Sequence, residues 1–421
     1  MTSQAAPVTP GERIATLDAI RGFALLGIFI MNMPLFNSSF FAGADGTRLW
    51  PQWWDRSAEI ARDVVFSGKF NSMFSMLFAI GFTIQLERLL QRQPERAVGI
   101  YARRIFWLLV FGILHACIFW TGDILHMYAL LGFLLLALRK LPDRIIVLLI
   151  AACLSYPAII GVIRLMIMSP QDIEELTSLM RQWQATDNAV YGHGTFLEIV
   201  RHNAQAMVTY YTHPHMRWSL LGGYMQILTT VLLGLLLGRH RFFQNITAHL
   251  PLVRRVQWWA LGVGLACGIV FGIWDATVAD PMKPTVWRIV ASMSYVLCRI
   301  GIMIFYVTVI IRAMQSETWR RRLAPVTLAG RMPLTNYLMQ TLIGTFLFYH
   351  WGLGLWGTVG PALDLVLAVA IFFIVQVPLT QLWLTYFQIG PMEYLWRVLT
   401  YGRSALRGLT APRRKLLRGE N

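Results

Sequence analysis

Ten apolar segments, most of them long enough to cross a bilayer, constrain this 421-residue chain more than any other feature. A transmembrane α-helix needs about 20 mainly apolar residues, because the hydrocarbon core is about 30 Å thick. Only 14% of the residues are charged, whereas a soluble domain is about a quarter charged. The sequence therefore predicts an all-α, polytopic integral membrane protein of about ten transmembrane helices. The predicted spans are 17–37, 64–86, 104–120, 124–139, 144–168, 219–238, 256–275, 288–311, 328–350 and 361–385.

Basic residues cluster in every second connection between these spans. The basic connections contain ERLLQRQPERAVGIYARR, RKLPDR, GRHRFFQNITAHLPLVRR and RAMQSETWRRRLAP. The connections 38–63, 121–123, 169–218, 276–287 and 351–360 are neutral, mixed or acidic. Cytoplasmic loops of membrane proteins carry an excess of Lys and Arg. Both termini are therefore predicted to lie in the cytoplasm.

The spans divide the chain into four parts. A cytoplasmic tail (1–16) precedes an N-terminal transmembrane half (17–240), in which 169–218 is an external loop. A C-terminal membrane module (241–402) and a basic cytoplasmic tail (403–421) follow. The external loop contains SPQDIEELTSLMRQWQ, whose apolar spacing predicts a short amphipathic helix.

The net charge of +16 arises from the basic loops and tail. Lys and Arg near an anionic leaflet contribute about 1 kcal/mol each, so the lipid bilayer is a predicted partner and nucleic acid is not. The four cysteines fall in apolar runs without a CxxC spacing, which predicts neither a disulfide framework nor a zinc site. The histidines of the external loop lack acidic or cysteine partners at a fixed ligand spacing, so no metal is predicted.

A short hairpin, FGILHACIFWTGDILHMYALLGF, places three ionisable residues around a turn of about three residues: His115, Asp123 and His126. Charged side chains cost roughly 2.5–3.5 kcal/mol at the bilayer centre on insertion scales. One interpretation is structural, with Asp123 capping a helix and His115 hydrogen-bonded in the core. The other is catalytic, because a neighbouring carboxylate can fix the tautomer of an imidazole and raise its basicity.

The first span carries a polar stripe. Asp18 and Arg21 are three residues apart and can pair on one helix face. Asn32 follows eleven residues after Arg21, which is close to three whole turns, so it lies on the same stripe about 16 Å away along the axis. A snorkelling ion pair with a structural amide is the alternative interpretation.

Further polar residues fall in other spans. Lys69 enters the second span and Arg299 lies near the middle of the eighth, where each must face a partner or water. The ninth span, GRMPLTNYLMQTLIGTFLFYH, begins at a basic residue, carries two amides four apart and ends at a histidine; these are Arg331, Asn336, Gln340 and His350.

Four motifs follow one another along the chain: TLDAIRGFALLGI, ILHACIFWTGDIL, GRMPLTNYLMQTLIGTFLFYH and GPMEYLWRVLTYG. In this order they resemble the YeiB-like family of bacterial inner-membrane proteins over nearly the whole chain. The last two belong to a C-terminal module of unknown function (domain of unknown function 418). The resemblance implies a multi-pass protein of the bacterial inner membrane.

The N-terminal half is also similar to membrane acetyltransferases typified by heparan-α-glucosaminide N-acetyltransferase, and more loosely to the acyltransferase-3 family. Those enzymes take an acyl group from acyl-CoA at the cytoplasmic face and acylate a sugar hydroxyl or amine across the membrane. Asp18, Arg21, Gly22 and Asn32 match the first group, whereas acyltransferase-3 proteins have a histidine at position 32. The acetyltransferases place their catalytic histidine after span 1, but residues 38–63 contain none, so His115 becomes the candidate base.

Two function classes follow, and a non-catalytic scaffold is a third. The first is an acyltransferase that uses acyl-CoA, most simply acetyl-CoA, and a glycan, lipid or small-molecule acceptor; a homo-oligomer is compatible with it. Its predicted residues are His115, Asp123 and Asn32 for catalysis, Asp18, Arg21, Arg299, Arg331, Asn336 and Gln340 for the donor, and Lys69, His126 and His350 for the acceptor. The alternative is a proton-coupled transporter or exporter with a relay through His115, Asp123 and Lys69, although the chain shows no internal repeat.

Overall fold

A computed structural model describes residues 14–43, 49–278, 280 and 282–402, and these residues form helices and their connections. Residues 1–13 of the predicted N-terminal tail and the predicted basic tail 403–421 lie outside them. In the first half the helices are α1 (Ala15–Asn37), α2 (Trp53–Ala61), α3 (Lys69–Arg92), α4 (Ala97–Ile118), α5 (Leu125–Leu138), α6 (Asp143–Ile167), α7 (Pro170–His193) and α8 (Phe196–Thr212). In the second half they are α9 (Arg217–Arg239), α10 (Leu250–Thr277), α11 (Val286–Ala313), α12 (Glu317–Ala329), α13 (Pro333–Phe348), α14 (Pro361–Ile371), α15 (Val377–Tyr386) and α16 (Pro391–Tyr401).

The all-α, multi-pass prediction is confirmed. Eight helical stretches of the described chain are long and apolar enough to cross a membrane: 15–37, 53–92, 97–118, 143–167, 214–239, 250–277, 286–313 and 361–386. The predicted fourth and ninth spans correspond to α5 and α13, which have 14 and 16 residues. At 1.5 Å per residue these helices are only about 21–24 Å long, shorter than the bilayer core.

Two helical stretches are interrupted by short π-helical turns. Residues Arg62–Phe66 join α2 to the start of α3 through Gly68, and Phe372–Gln376 join α14 to α15. A π-helical turn is a local irregularity that is often found at functional sites. The connection of the hairpin is longer than the predicted turn of about three residues. Helix α4 ends at Ile118, and α5 begins at Leu125.

The predicted external loop is itself helical. Two helices, α7 and α8, fill it, where the sequence pattern predicted one short amphipathic helix. Each begins with a capping box, in which a hydroxyl and a carboxylate satisfy free backbone N–H groups at the helix start. The pairs are Ser169 with Asp172 and Thr195 with Glu198.

Helix α1 lies at the centre of the bundle and packs against α3, α11, α12, α13 and α14. Its contact with α12 is a contact between backbones. A Cβ atom on Gly330, just after α12, would lie 1.9 Å from the carbonyl oxygen of Asp18. Small residues allow such close approach of helices in membranes. The polar first turn of α1 is thereby held in place.

Connections of the same charge class meet at the same end of the bundle. At the basic end, the Arg239 guanidinium pairs with Asp143 at 2.9 Å and donates to carbonyl groups of the α5–α6 connection. At the other end, the His350 backbone N–H donates to the carbonyl of Tyr191 at the end of α7, with an N···O distance of 2.9 Å. The two ends are called the basic end and the outer end below.

Candidate functional site

The hairpin side chains form one hydrogen-bonded group, the histidine cluster, made of His115, Asp123 and His126. Nδ1 of His115 lies 2.9 Å from Oδ1 of Asp123, and Nδ1 of His126 lies 2.9 Å from Oδ2. The His126 backbone N–H also donates to Oδ2, at 3.0 Å. The three residues are 5%, 3% and 5% exposed. A single buried carboxylate therefore bridges two imidazoles.

Close contact between α4 and α5 positions the histidine cluster. A Cβ atom on Gly112 would lie 2.3 Å from the backbone nitrogen of His126, so only glycine permits this helix separation. The connection between the helices folds back over Trp120, which is buried and packs against Phe36 of α1 with ring centroids 4.5 Å apart. Asp123 lies in this connection, so its position is fixed by α4 and α5 and by the contact with α1.

The hydrogen bonds assign the same tautomer to both imidazoles but leave their Nε2 atoms in different surroundings. Burial opposes ionisation of Asp123, which lies in the connection between α4 and α5. Hydrogen bonds from both histidines nevertheless hold the pKa of its carboxylate below the usual value. An ionised carboxylate only accepts, so each Nδ1 carries a proton, and the Nε2 of a neutral imidazole in this tautomer has a free lone pair. Nε2 of His126 lies 2.8 Å from the Tyr211 hydroxyl. Nε2 of His115 is buried and has no hydrogen-bond partner among the described residues.

A cavity of about 340 Å³, the basic-end cavity, extends from the basic end toward the histidine cluster. Along α3 it is lined by residues from Phe74 to Arg88, a length of about 21 Å. Four arginines lie around it, together with Asp18 and Glu393: Arg21, Arg88, Arg104 and Arg397. A long cavity with guanidinium groups suits a phosphorylated ligand, because Arg binds phosphate oxygens through paired hydrogen bonds.

The deep end of the basic-end cavity is formed by Leu125, Tyr128 and Tyr337. The Tyr337 ring packs on the His115 imidazole with centroids 5.5 Å apart. The backbone N–H of Ile124 donates to the Tyr337 hydroxyl over 3.4 Å. The cavity thus ends one aromatic ring from the histidine cluster.

Interlocked polar groups fix the wall of the cavity at the basic end. Arg21 pairs with Asp18 at 2.8 Å, as the sequence spacing predicted. The Arg104 guanidinium stacks 3.5 Å above the Trp396 ring of α16. Glu393 of α16 accepts from the backbone N–H of Leu334 at 2.7 Å, at the start of α13. Burial raises the pKa of Glu393, and the hydrogen bonds oppose that rise.

Asn336 and Gln340, predicted to bind the donor, lie outside the lining of the basic-end cavity. They form the amide network with Gln376 and Thr380. Nε2 of Gln340 donates to Oε1 of Gln376 at 2.9 Å, and Thr380 donates to Oδ1 of Asn336 at 3.0 Å. Nε2 of Gln376 donates to the Asn336 carbonyl at 2.8 Å. These contacts join α13 to α15 and to the π-helical turn before it.

Lys69 and Arg299 lie together in the outer half, away from the basic-end cavity. The Lys69 ammonium donates to the carbonyl of Asp63 at 2.7 Å. The Arg299 guanidinium donates to Ser72 at 3.0 Å and to the carbonyl of Gln226 at 3.3 Å. None of these contacts reaches the histidine cluster, so the geometry does not place Lys69 in one relay with His115 and Asp123.

The remaining predicted residues lie at three places. Asn32 is buried one turn before Phe36, on the helix that packs against the hairpin connection. Arg331 is half-buried at the basic end, between α12 and α13, and does not line the cavity. His350 is exposed at the outer end, with its ring centroid 6.4 Å from that of His193.

Several site residues were not predicted from the sequence. Arg88 and Arg104 are part of the positive-inside pattern, which explains basic loops without any ligand. Arg397 lies four residues after Glu393, a spacing that predicts a helical ion pair and no ligand. Tyr211 lies in the predicted external loop and carries no local signal for a contact with His126. Tyr337 lies between Asn336 and Gln340 in the ninth span, and this position next to polar residues was the only sequence signal for its place in the site.

Known proteins resemble this chain over nearly its whole length. A family described as a protein of unknown function (DUF418) matches residues 237–403. The uncharacterized protein YxaH of Bacillus subtilis (strain 168) is 29% identical over 404 residues, which cover 94% of this chain and 96% of that protein. The uncharacterized protein YeiB of Escherichia coli (strain K12) is 27% identical over 409 residues, covering 92% and 96%. The similarity therefore includes both the hairpin and the C-terminal module.

Proposed function

This chain belongs to the YeiB-like family of bacterial membrane proteins, and we propose that it is an acyltransferase that uses acyl-CoA. In this proposal an acyl group, most simply acetyl, passes from a donor at the basic, cytoplasmic end to an acceptor hydroxyl or amine. The acceptor is a glycan, lipid or small molecule that approaches from the outer end of the bundle. The proposal places the protein in the bacterial inner membrane.

The observation that carries the proposal is the free Nε2 of His115. Of the two histidines in the cluster, only His115 has an Nε2 without a hydrogen-bond partner among the described residues. A buried imidazole held by a carboxylate in this tautomer is suited to accept a proton from an acceptor group. His126 is less suited to that role, because the Tyr211 hydroxyl already occupies its Nε2.

The basic-end cavity supports a cytoplasmic acyl-CoA as the donor. The arginines around the cavity would bind the phosphates, and the apolar residues of its lining would hold the pantetheine arm. The thioester would then lie at the deep end, next to Tyr337 and close to His115. Asn32 is proposed to donate a hydrogen bond to the thioester oxygen, where negative charge develops in the transition state.

The proposed transfer needs no reactant besides the acyl donor and the acceptor. The acceptor proton passes to Nε2 of His115 while the acceptor oxygen or nitrogen forms a bond to the thioester carbon. The C–S bond of the tetrahedral intermediate then breaks, and the CoA thiolate takes the proton from the imidazolium. The products are the acylated acceptor and free CoA thiol, and His115 returns to its starting state.

Two readouts test the proposal, one on the purified full-length protein and one in membranes. The first is a thermal shift with acetyl-CoA, which we expect for the protein and for His115→Gln but not for Arg21→Ala. Arg320→Ala is the matched control, because Arg320 is an exposed arginine of α12 that pairs with Glu317 and does not line the cavity. An equal shift in Arg21→Ala and Arg320→Ala contradicts donor binding in this cavity.

The second readout is the release of CoA thiol from acetyl-CoA in membranes that contain the natural acceptor. General base catalysis contributes about 10²–10⁴-fold, so we expect His115→Gln to lower the rate by that factor. Mass spectrometry of envelope lipids and glycans from a deletion strain, complemented with each variant, identifies the acylated product. Unchanged acylation in the deletion strain and in the His115→Gln strain would overturn the proposed activity.

A further inference from the structure

A second cavity, the outer-end cavity, lies between α6, α9, α10 and α11 and has a volume of about 410 Å³. Its lining includes Arg164 near the end of α6 and Arg288 in the first turn of α11. Both positions are at the outer end, opposite the basic connections. The positive-inside pattern explains arginines at the basic end but not at this one.

The two arginines of the outer-end cavity lack an acidic partner in the cavity. Both are half-buried, and they are close enough for their like charges to repel each other. The Asp280 carboxylate, outside the lining of the cavity, offsets part of this repulsion at Arg288. No ion pair within 4.0 Å involves either guanidinium in the part of the chain that the structure describes. Arg288 also lies at a helix N-terminus, where the helix dipole disfavours a cation. An anion placed between the two side chains would relieve both unfavourable terms.

Neutral hydrogen-bond donors lie around the same cavity. The Nε1–H of Trp274 is buried and has no partner among the described residues. Hydroxyl groups of Ser219 and Ser292 also belong to the lining, and the lining contains no carboxylate. Guanidinium, indole and hydroxyl donors around one space form a binding environment for an oxyanion.

Apolar side chains form another part of the wall, which is continuous with the lipid-facing surface. Ile160 of α6 and Phe271 of α10 line the cavity. Ile159 and Ile273, on the same two helices, are more than half exposed, and these helices cross the membrane region. A ligand with an anionic head and an apolar tail matches both parts of this wall.

We propose that the outer-end cavity binds the phosphate group of an amphiphile, and that the source of this phosphate is an anionic membrane lipid. The phosphate lies between Arg164 and Arg288, and the acyl chains leave between α6 and α10. The inference is independent of the proposed acyl transfer, because α9 separates the two sites. Tyr224 of α9 contacts Tyr211 on the side of the histidine cluster, whereas Gln226 lines the outer-end cavity.

Native mass spectrometry of the full-length protein tests this site with phosphatidylglycerol as the probe. We expect Arg164→Gln/Arg288→Gln to retain the lipid at least about tenfold less well than the unaltered protein. Arg217→Gln is the matched control, because Arg217 is an exposed arginine at the start of α9, at the same end and outside the cavity. Equal retention in the double variant and the control would overturn the site.

A second measurement, with a soluble phosphate compound, distinguishes the sources of the phosphate. Thermal stabilisation by phosphatidylglycerol but not by glycerol phosphate supports the lipid, whereas equal stabilisation by both overturns the lipid assignment. Ser292→Phe is a second variant that fills the cavity and keeps both charges, in case the double variant does not fold. We expect it to lose the lipid as well, and retention of the lipid in Ser292→Phe contradicts the proposal.

Discussion

The histidine cluster and the amide network are both buried polar groups at helix contacts, yet each leaves a different atom unused. In the amide network, the atom without a hydrogen-bond partner among the described residues is Oε1 of Gln340. In the histidine cluster it is Nε2 of His115. An amide oxygen neither gains nor loses a proton near neutral pH, whereas an imidazole nitrogen does.

The two groups also differ in their distance from the basic-end cavity. The amide network joins α1, α13 and α15 through hydrogen bonds of ordinary length and lies outside the lining of the basic-end cavity. The histidine cluster touches Tyr337, which forms the deep end of that cavity. A buried polar residue is therefore a better functional candidate when its free atom can exchange a proton and lies near a cavity.

The largest expected effect comes from Asp123→Asn, which removes the charge that sets both imidazole tautomers. We expect acyl transfer to fall by about 10³-fold or more, because an amide can stabilise the wrong tautomer of His115. Thermal unfolding should change little, since the side-chain volume is kept. The rate of CoA thiol release per folded molecule measures the effect, and a rate within tenfold of the unaltered protein would contradict the assigned role.

Gly112→Ala tests the helix contact that positions the histidine cluster. Its Cβ would meet the backbone of His126, so α4 and α5 must move apart. We expect a loss of about 1–3 kcal/mol in the free energy of unfolding. Gly99→Ala, in the same helix and with open space around the new Cβ, should be neutral or stabilising. Equal melting temperatures for the two variants would show that the contact does not constrain the hairpin.

The smallest effect is expected for Gln376→Leu in the amide network. The change removes two hydrogen bonds, to Gln340 and to the carbonyl of Asn336. Such bonds average about 0.6 kcal/mol in membrane proteins, so the free energy of unfolding should fall by about 1 kcal/mol. Acyl transfer per folded molecule should stay unchanged. A loss of transfer as large as that of Asp123→Asn would remove the distinction between the two groups.

Much of the fold was predictable because it depends on local composition. The apolar segments and the alternating basic loops predicted the helical, multi-pass class, and the four motifs predicted the family; both are confirmed. The predicted fourth span, 124–139, agrees with α5, but the predicted ninth span, 328–350, is longer than α13. Apolar residues continue past both ends of a buried helix, so hydropathy alone does not mark where its backbone hydrogen bonds stop.

The site was predictable only where its residues are close in sequence. His115, Asp123 and His126 fall within one hairpin, and Asp18 and Arg21 within one helical turn, so spacing alone brought each set together. Asn336 and Gln340 carried the same kind of polar signal, but their partners lie on distant helices. The similarity to acetyltransferases and the roles of the individual residues stay predictions.

The sequence by itself determined that the chain enters the membrane, which ends of its helices are basic and that a carboxylate accompanies two histidines in one hairpin. Only the tertiary structure decided which imidazole nitrogen is free, which arginines surround a cavity and which polar side chains hold helices together. The physical reason is that the two kinds of interaction act over different distances along the chain. Hydropathy and helical spacing act over a few turns of one segment, whereas hydrogen-bond satisfaction depends on side chains that approach from other helices.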